Sequence, residues 1–272
     1  MAHHRVTENT ESRVRGQWRR WMMYVLLALG LACGVDRGAV EKPLLVGVAA
    51  NAAPALEEIA RLWEQRGGVA VTMTAGSTGL LARQIREGAA IDVFVSADEG
   101  FVDALIGEGV LDGHTRAVYA VGRLALAGGE LDGAKTSPED IAAALRQARR
   151  IAIANPETAP YGRAAREAME KLGVWNEIES RLVFGQDVGQ ALQYAKTGNV
   201  DLAFAPASLL VDSELRSLAI PANLHAPIRQ ALAVRAENPS IHAAPFAAFI
   251  GSDEAKAILA RRGYDFDTAK AP

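Results

Sequence analysis

The chain has 272 residues, 50% hydrophobic and 22% charged, with 29 basic against 32 acidic side chains. That is globular composition with a near-balanced charge, so a disordered or collagen-like chain and a nucleic-acid coat are excluded. Aromatics are only 6% and do not interleave with basic residues, and Cys33 is the single cysteine, so a base-stacking platform, a disulfide framework and a Cys-type zinc site are also excluded.

The amino end carries Arg5, Arg13, Arg15, Arg19 and Arg20, then an uncharged run from Trp21 to Ala32. A basic region followed by a short apolar run reads as a secretory signal over 1–32. The run is shorter than the ~20 residues that span a bilayer. Cys33 stands where a lipoprotein signal would place its lipidated cysteine, although Gly30 occupies the usual Leu position. Cleavage after Ala32 or Gly34 is the rival reading. Removing five Arg and two Glu from 29 basic and 32 acidic residues leaves a mature chain of net charge −6. Residues 33–42 read as a tether.

Strands and helices then alternate. Leu44–Val48 reads as a buried strand. Leu56, Ile59, Ala60 and Trp63 recur on one helical face after Pro54. Val69–Met73 and Asp92–Ser96 read as strands, with a helix carrying Leu80, Leu81 and Ile85 between them and another from Phe101. The pattern restarts with a strand at Arg123–Ala127 and a helix opened by Ser137-Pro138. Strands at Ile151–Ala154, Leu182–Phe184 and Leu202–Ala205 follow, with helices at Tyr161–Leu172 and Val188–Lys196 between them. Ala231–Val234 reads as a returning strand, and helices at Ala243–Ile250 and Glu254–Arg261 close the chain. This order predicts an α/β protein with two lobes, each a mostly parallel sheet flanked by helices, and a ligand cleft between them. Lobe 1 is expected over 43–120 plus 229–272, and lobe 2 over 121–228.

Enzyme signatures are absent: there is no G-x-x-x-x-G-K-[ST], no G-x-S-x-G and no H-E-x-x-H. No catalytic residue is therefore expected. His114, His225 and His242 lack ligand spacing and read as surface or interface residues. Asp92, Asp98 and Asp187 read as helix caps or strand-end partners rather than paired catalytic carboxylates.

Five loops carry the chemistry, each after a strand and before a helix: Ala49-Ala50-Asn51, Gly76-Ser77-Thr78-Gly79, Ser96-Ala97-Asp98, Asn155 to Gly162, and Gly185 to Val188. Open α/β sheets bind ligands at the carboxyl ends of their strands. Helix amino ends there present free N–H groups and positive dipole ends. None of the five loops contains Lys or Arg. Convergent neutral donors can hold a fully ionised anion and release it, and they disfavour an anion that keeps a proton. Taken singly, Ser77 and Thr78 could simply cap a helix and Asn155-Pro156 could simply make a turn. Five loops of one character favour an anion site.

At these loops the chain resembles the periplasmic molybdate-binding proteins of bacterial ABC importers. The stretches are AANAAPALEEIARLW, TAGSTGLLARQI, IDVFVSADEGFVDAL, IAIANPETAPYGRAAREAMEKLGVW, GQDVGQALQYAKTGNVDLAFA and EAKAILARRGYDF. The resemblance runs from about Leu44 to the end and implies a class II periplasmic binding fold. It implies oxyanion ligation by Asn51, by Thr78 with Ser77 beside it, by the Ala97 amide, and by Tyr161 and Val188. For a molybdate or tungstate anion, Asn51, Thr78, Tyr161 and Val188 would be the main contacts. Many members have Ser at the Asn51 position and a Tyr at the Pro206 position. Asn51 together with APYG resembles a variant in which Tyr161 serves instead.

The expectation is an exported, non-enzymatic solute-binding protein, periplasmic or held at the outer face of the cytoplasmic membrane. It would capture molybdate or tungstate, need no cofactor, bind no nucleic acid, act as a monomer and deliver its ligand to a membrane ABC permease. The rivals are a binder of another tetrahedral oxyanion such as sulfate or phosphate, and an enzyme on the same fold. A protonated phosphate would need an acceptor, for which Asp98 is the nearby candidate.

Overall fold

The structure, a computed structural model, describes residues 41–129, 131 and 137–266. The signal segment, Cys33 and the tether up to residue 40 lie outside them.

Leu44–Ala49 (β1) is apolar throughout because both of its edges and faces are covered. It pairs in parallel with Val71–Gly76 (β2) and Val93–Val95 (β3). Between them run the helices α1 (Ala53–Gln65) and α2 (Thr78–Arg86). Each buries one apolar stripe: Ala55, Leu56, Ile59 and Ala60 on α1, and Leu81, Ala82 and Ile85 on α2. Helix α3 (Glu99–Gly107) is capped by Asp98, whose carboxylate accepts from Gly100 N at 2.6 Å. Leu111–Gly122 (β4) completes this stretch.

The second series begins at Leu124–Ala127 (β5). It continues with α4 (Pro138–Gln147), β6 (Ile151–Ala154), α5 (Pro160–Lys171), α6 (Trp175–Ile178), β7 (Leu182–Gly185), α7 (Val188–Lys196), β8 (Leu202–Pro206) and β9 (Ser217–Ala219). Ser137 caps α4 by accepting from Asp140 N at 3.1 Å, and Asp187 caps α7 by accepting from Gln190 N at 3.0 Å. The chain ends with β10 (Ile228–Arg235), α8 (Ala243–Ile250) and α9 (Asp253–Arg261).

Two five-stranded sheets result, ordered β2-β1-β3-β10-β4 and β7-β6-β8-β5-β9. In each, one strand runs antiparallel to both neighbours: β10 in the first and β5 in the second. The orders match position by position, so both halves present the carboxyl ends of their three parallel strands in the same way.

Local differences from the sequence expectations have physical causes. The strand expected at Val69–Met73 begins at Val71 and runs to Gly76. The Trp63 indole holds Val69 out of the ladder by donating to its carbonyl at 3.1 Å. The ring also fills the space a Gly68 side chain would need, with Trp63 atoms 2.2 Å from an ideal Cβ. β4 has no counterpart among the strands expected above, because its first half carries polar residues at an exposed edge and shows no apolar run. The short edge strand β9 and the single-turn α6 carry no periodic signal. His225 is buried rather than superficial, its Nδ1 2.7 Å from the Ala226 carbonyl oxygen.

Candidate functional site

The amino ends of α1, α2, α5 and α7 meet over the carboxyl ends of the parallel strands. They border a narrow space whose lining includes Asn51, Ser77, Thr78, Ala97, Tyr161 and Val188. The space is tight: about 10 Å³ is open to the centre of a water-sized sphere, roughly what a single water needs. Among the described residues no Lys or Arg lines it, and Asp187, whose carboxylate caps α7, is the one charged residue that does. The six residues named from the sequence, four from the first series of loops and two from the second, therefore surround one space. What each offers to that space differs.

Thr78 is the first residue of α2 and 1% exposed. Its Oγ1 accepts the Ala97 N–H at 3.1 Å, which leaves the hydroxyl proton available. The Ala97 amide thus acts on the cavity through Thr78. Ser77 occupies the cap position of α2 without capping it. Its hydroxyl donates at 2.6 Å to the carbonyl of Thr158 in the β6–α5 loop, and the same oxygen accepts Gly79 N at 2.8 Å. Val188 opens α7, where the first-turn N–H groups have no partner within the helix.

Asn51 does not aim its amide nitrogen at the cavity. Its Nδ2 donates to Gln230 Oε1 and to Tyr264 Oη, both at 2.9 Å. Its own carbonyl accepts from Tyr264 Oη at 2.8 Å and from Ser208 Oγ at 3.0 Å. Gln230, on β10 and 0% exposed, also accepts from Tyr119 Oη at 2.8 Å and donates its Nε2 to Tyr161 Oη at 2.9 Å.

Two glycines make room for this arrangement. A Cβ on Gly122, the last residue of β4, would lie 2.0 Å from Tyr161 Oη. A Cβ on Gly162 would lie 2.1 Å from the Ala154 carbonyl oxygen, so glycine lets the first turn of α5 sit directly on the end of β6. Burial holds all three tyrosines in the neutral form. Desolvation raises Tyr161 and Tyr119 well above the ordinary tyrosine range, with Tyr264 adding to both, and it raises Tyr264 likewise. For Tyr161 the Gln230 amide, Arg123 and the Asn51 amide pull the other way and do not prevail.

Asp98 is not among the residues lining this cavity. Its carboxylate caps α3 and pairs with Arg163 of α5, at the edge of a neighbouring cavity of about 130 Å³. Asp92 accepts from Leu45 N and Ser240 N, each at 3.0 Å, as a strand-end partner. Pro206 closes β8 opposite Leu124 and offers neither hydroxyl nor N–H. No group of three or more His, Cys, Asp or Glu suited to a metal ion occurs among the described residues.

Gln230, Tyr119, Tyr264, Ser208 and Thr158 escaped sequence reasoning. The available signal was Gln230 directly before the apolar run Ala231–Val234, where an inward polar side chain requires partners.

The model of the bacterial extracellular solute-binding proteins matches residues 44–265. A molybdate-binding protein, ModA, of Rhodobacter capsulatus is 34% identical over 240 residues, 87% of this chain and 94% of that protein. ModA of Azotobacter vinelandii is 35% identical over 215 residues, 76% of this chain and 82% of that protein. A solved structure of the Azotobacter vinelandii periplasmic molybdate-binding protein superposes with a TM-score of 0.75 at 29% identity, covering 83% of this chain and all of that one. The sulfate-binding protein SubI of Mycobacterium tuberculosis, with a TM-score of 0.69 at 15% identity, shares the fold. With its two matched sheets and a family model spanning nearly everything after residue 43, this chain belongs to the bacterial extracellular solute-binding proteins.

Proposed function

We propose that this protein captures molybdate or tungstate outside the cytoplasm and hands it to the permease of an ABC importer, without bond chemistry. The observation that carries the reading is a small cavity walled by helix amino ends and a Thr hydroxyl with no Lys or Arg. Such a wall replaces the hydration of a dianion with fixed dipoles, and no countercharge holds the ion against release. The named ligand comes from relatives that carry it in their names over most of this chain. In this reading Thr78, Tyr161 and the amides of Asn51 and Val188 contact the anion, while Ser77 and Ala97 support them.

Residues 43–120 plus 229–272 form one moving lobe and 121–228 the other, and ligand selects the closed arrangement because only there do both contribute donors. The chain works as a monomer at the periplasmic side, after loss of 1–32. A Bacillus subtilis relative, 30% identical over 225 residues, is named a putative substrate-binding lipoprotein, which is compatible with an anchor on Cys33.

Calorimetry of the mature chain against molybdate, tungstate, sulfate and phosphate tests the reading. Binding of molybdate and tungstate well above the other two supports it. A preference for sulfate or phosphate would keep the anion binder and change its ligand, and no binding by any of the four would end it.

A further inference from the structure

We propose that the ion pair between Asp98 and Arg163 is a clasp that forms only when the two halves close, so that the hold on the ligand weakens as ionic strength rises. The proposal rests on the two-lobe oxyanion reading above and adds what keeps the lobes shut. Asp98 follows β3 of the first sheet, and Arg163 is the fourth residue of α5, which follows β6 of the second. Their contact therefore crosses from one half to the other.

Local structure does not explain this pair. The amino end of a helix carries positive potential, so a cation in the first turn of α5 is unfavourable on its own. Asp98 supplies the countercharge from the opposite half. Its Oδ1 already accepts Gly100 N at 2.6 Å, capping α3, and its Oδ2 meets Arg163. The carboxylate is thus fixed before the halves meet, and only the Arg163 side chain has to be ordered on closure. Neighbouring charges have other partners. Glu99 pairs with Arg116 and Arg229 at 2.9 and 2.8 Å, and Glu167 accepts Ala226 N at 2.7 Å.

The pair also lies beside the proposed ligand space. Ala97 and Pro160 border both that space and the adjoining cavity lined by Asp98 and Arg163. Once formed, the pair puts no net charge there. A second ion pair crosses between the halves, from Arg262 just after α9 to Asp212 after β8. The Asp212 side chain is 73% exposed against 21% for Asp98. Solvent and salt therefore screen the Asp212 pair more strongly, and Asp98–Arg163 is the stronger clasp.

The test is calorimetry with molybdate as the probe, in about 0.01 M and about 1 M sodium chloride, where the Debye length is about 30 Å and about 3 Å. A contact made only in the closed arrangement raises the closed fraction, and apparent affinity scales with that fraction. Asp98→Asn combined with Arg163→Gln removes both charges and keeps an oxygen to cap α3. At low salt its Kd should lie roughly two- to fivefold above wild type, and at high salt the gap should close. Arg163→Gln alone should bind more weakly than the double variant at low salt, because it leaves an unpaired carboxylate beside the anion. If the wild type binds no oxyanion, the functional reading fails and takes the clasp with it. If the wild type binds and the double variant matches it at low salt, the clasp alone is overturned. A loss that salt does not change, or a double variant weaker than Arg163→Gln, overturns it as well, since either marks lost shape rather than a lost ion pair.

Discussion

Ser77 Oγ reaches across the cleft to the carbonyl oxygen of Thr158, 2.6 Å away, from the end of β2 to the loop between β6 and α5. Gly79 N joins it on the same oxygen, and a Cβ on Gly79 would meet that oxygen at 2.9 Å and Thr158 Cα at 3.0 Å. The backbones therefore approach as closely as glycine allows. Gly79→Ala should hold the halves apart. Apparent affinity scales with the fraction of chain able to close, so a tenfold loss of that fraction raises Kd about tenfold. Small-angle scattering should show a larger radius of gyration in the presence of ligand than for wild type. Unchanged affinity and radius would show that this contact does not limit closure.

Thr78→Val removes the hydroxyl and keeps the shape. It also leaves the buried Ala97 N–H without its acceptor. Loss of a donor to a charged partner costs about 1.5–3 kcal/mol, so oxyanion affinity should fall roughly ten- to a hundredfold. Asp187→Asn retains an oxygen to cap α7 and should change affinity much less. Calorimetry on the two variants side by side decides whether Thr78 contacts the ligand.

Ligand should also stabilise the fold. At a hundredfold excess over Kd, binding to the native state alone adds about 2.7 kcal/mol. For a chain of this size each kcal/mol raises Tm by roughly 2–4 °C. Molybdate and tungstate should thus raise Tm by about 5–11 °C. Phosphate should do less, because near neutral pH it carries a proton, and the nearest carboxylate beyond the capping Asp187, Asp98, is held by Arg163. Thermal shift measurements at matched concentrations check the order.

The buried tyrosines set an alkaline limit. Tyr119, Tyr161 and Tyr264 have folded values raised above 10.0, so the native state holds protons that the unfolded chain releases above that pH. Stability from these groups is complete below about pH 10 and is lost as pH rises further, with a slope of at most about 1.4 kcal/mol per pH unit for each tyrosine. Urea midpoints should be flat from about pH 7 to 9 and fall above 10. Tyr119→Phe should make the fall shallower. An equal slope in that variant would show that Tyr119 does not contribute.

Export predicts a mass change. Protein recovered from a native-like bacterial host should lack roughly its first 32 residues. An intact Met1 on the mature protein would contradict this, and a diacylglyceryl mass on Cys33 would identify the anchor.

Much of this molecule was legible along the chain because local physics specifies it. Ser137, Asp98 and Asp187 stand just ahead of their helices, and a short polar side chain there accepts the unpartnered N–H groups of the first turn. The apolar runs of β3, β6 and β8 are buried throughout, and that of β1 everywhere but at half-buried Leu45, as central strands require. Strand followed by helix then brings the intervening loops to one side of each sheet, which is why Asn51, Thr78, Tyr161 and Val188 could be singled out together.

The direction of each hydrogen bond was not legible, because it depends on partners far away in the chain. Asn51 meets Gln230 and Tyr264 across 179 and 213 residues, and Ser77 meets Thr158 across 81. A hydroxyl or amide has both donor and acceptor capacity, and only its neighbours in space decide which is used. By itself the sequence brought out six of the twelve residues that border the narrow space. Tertiary structure alone decided that Ser77 holds the opposite half and that the Asn51 amide turns inward to Gln230 and Tyr264.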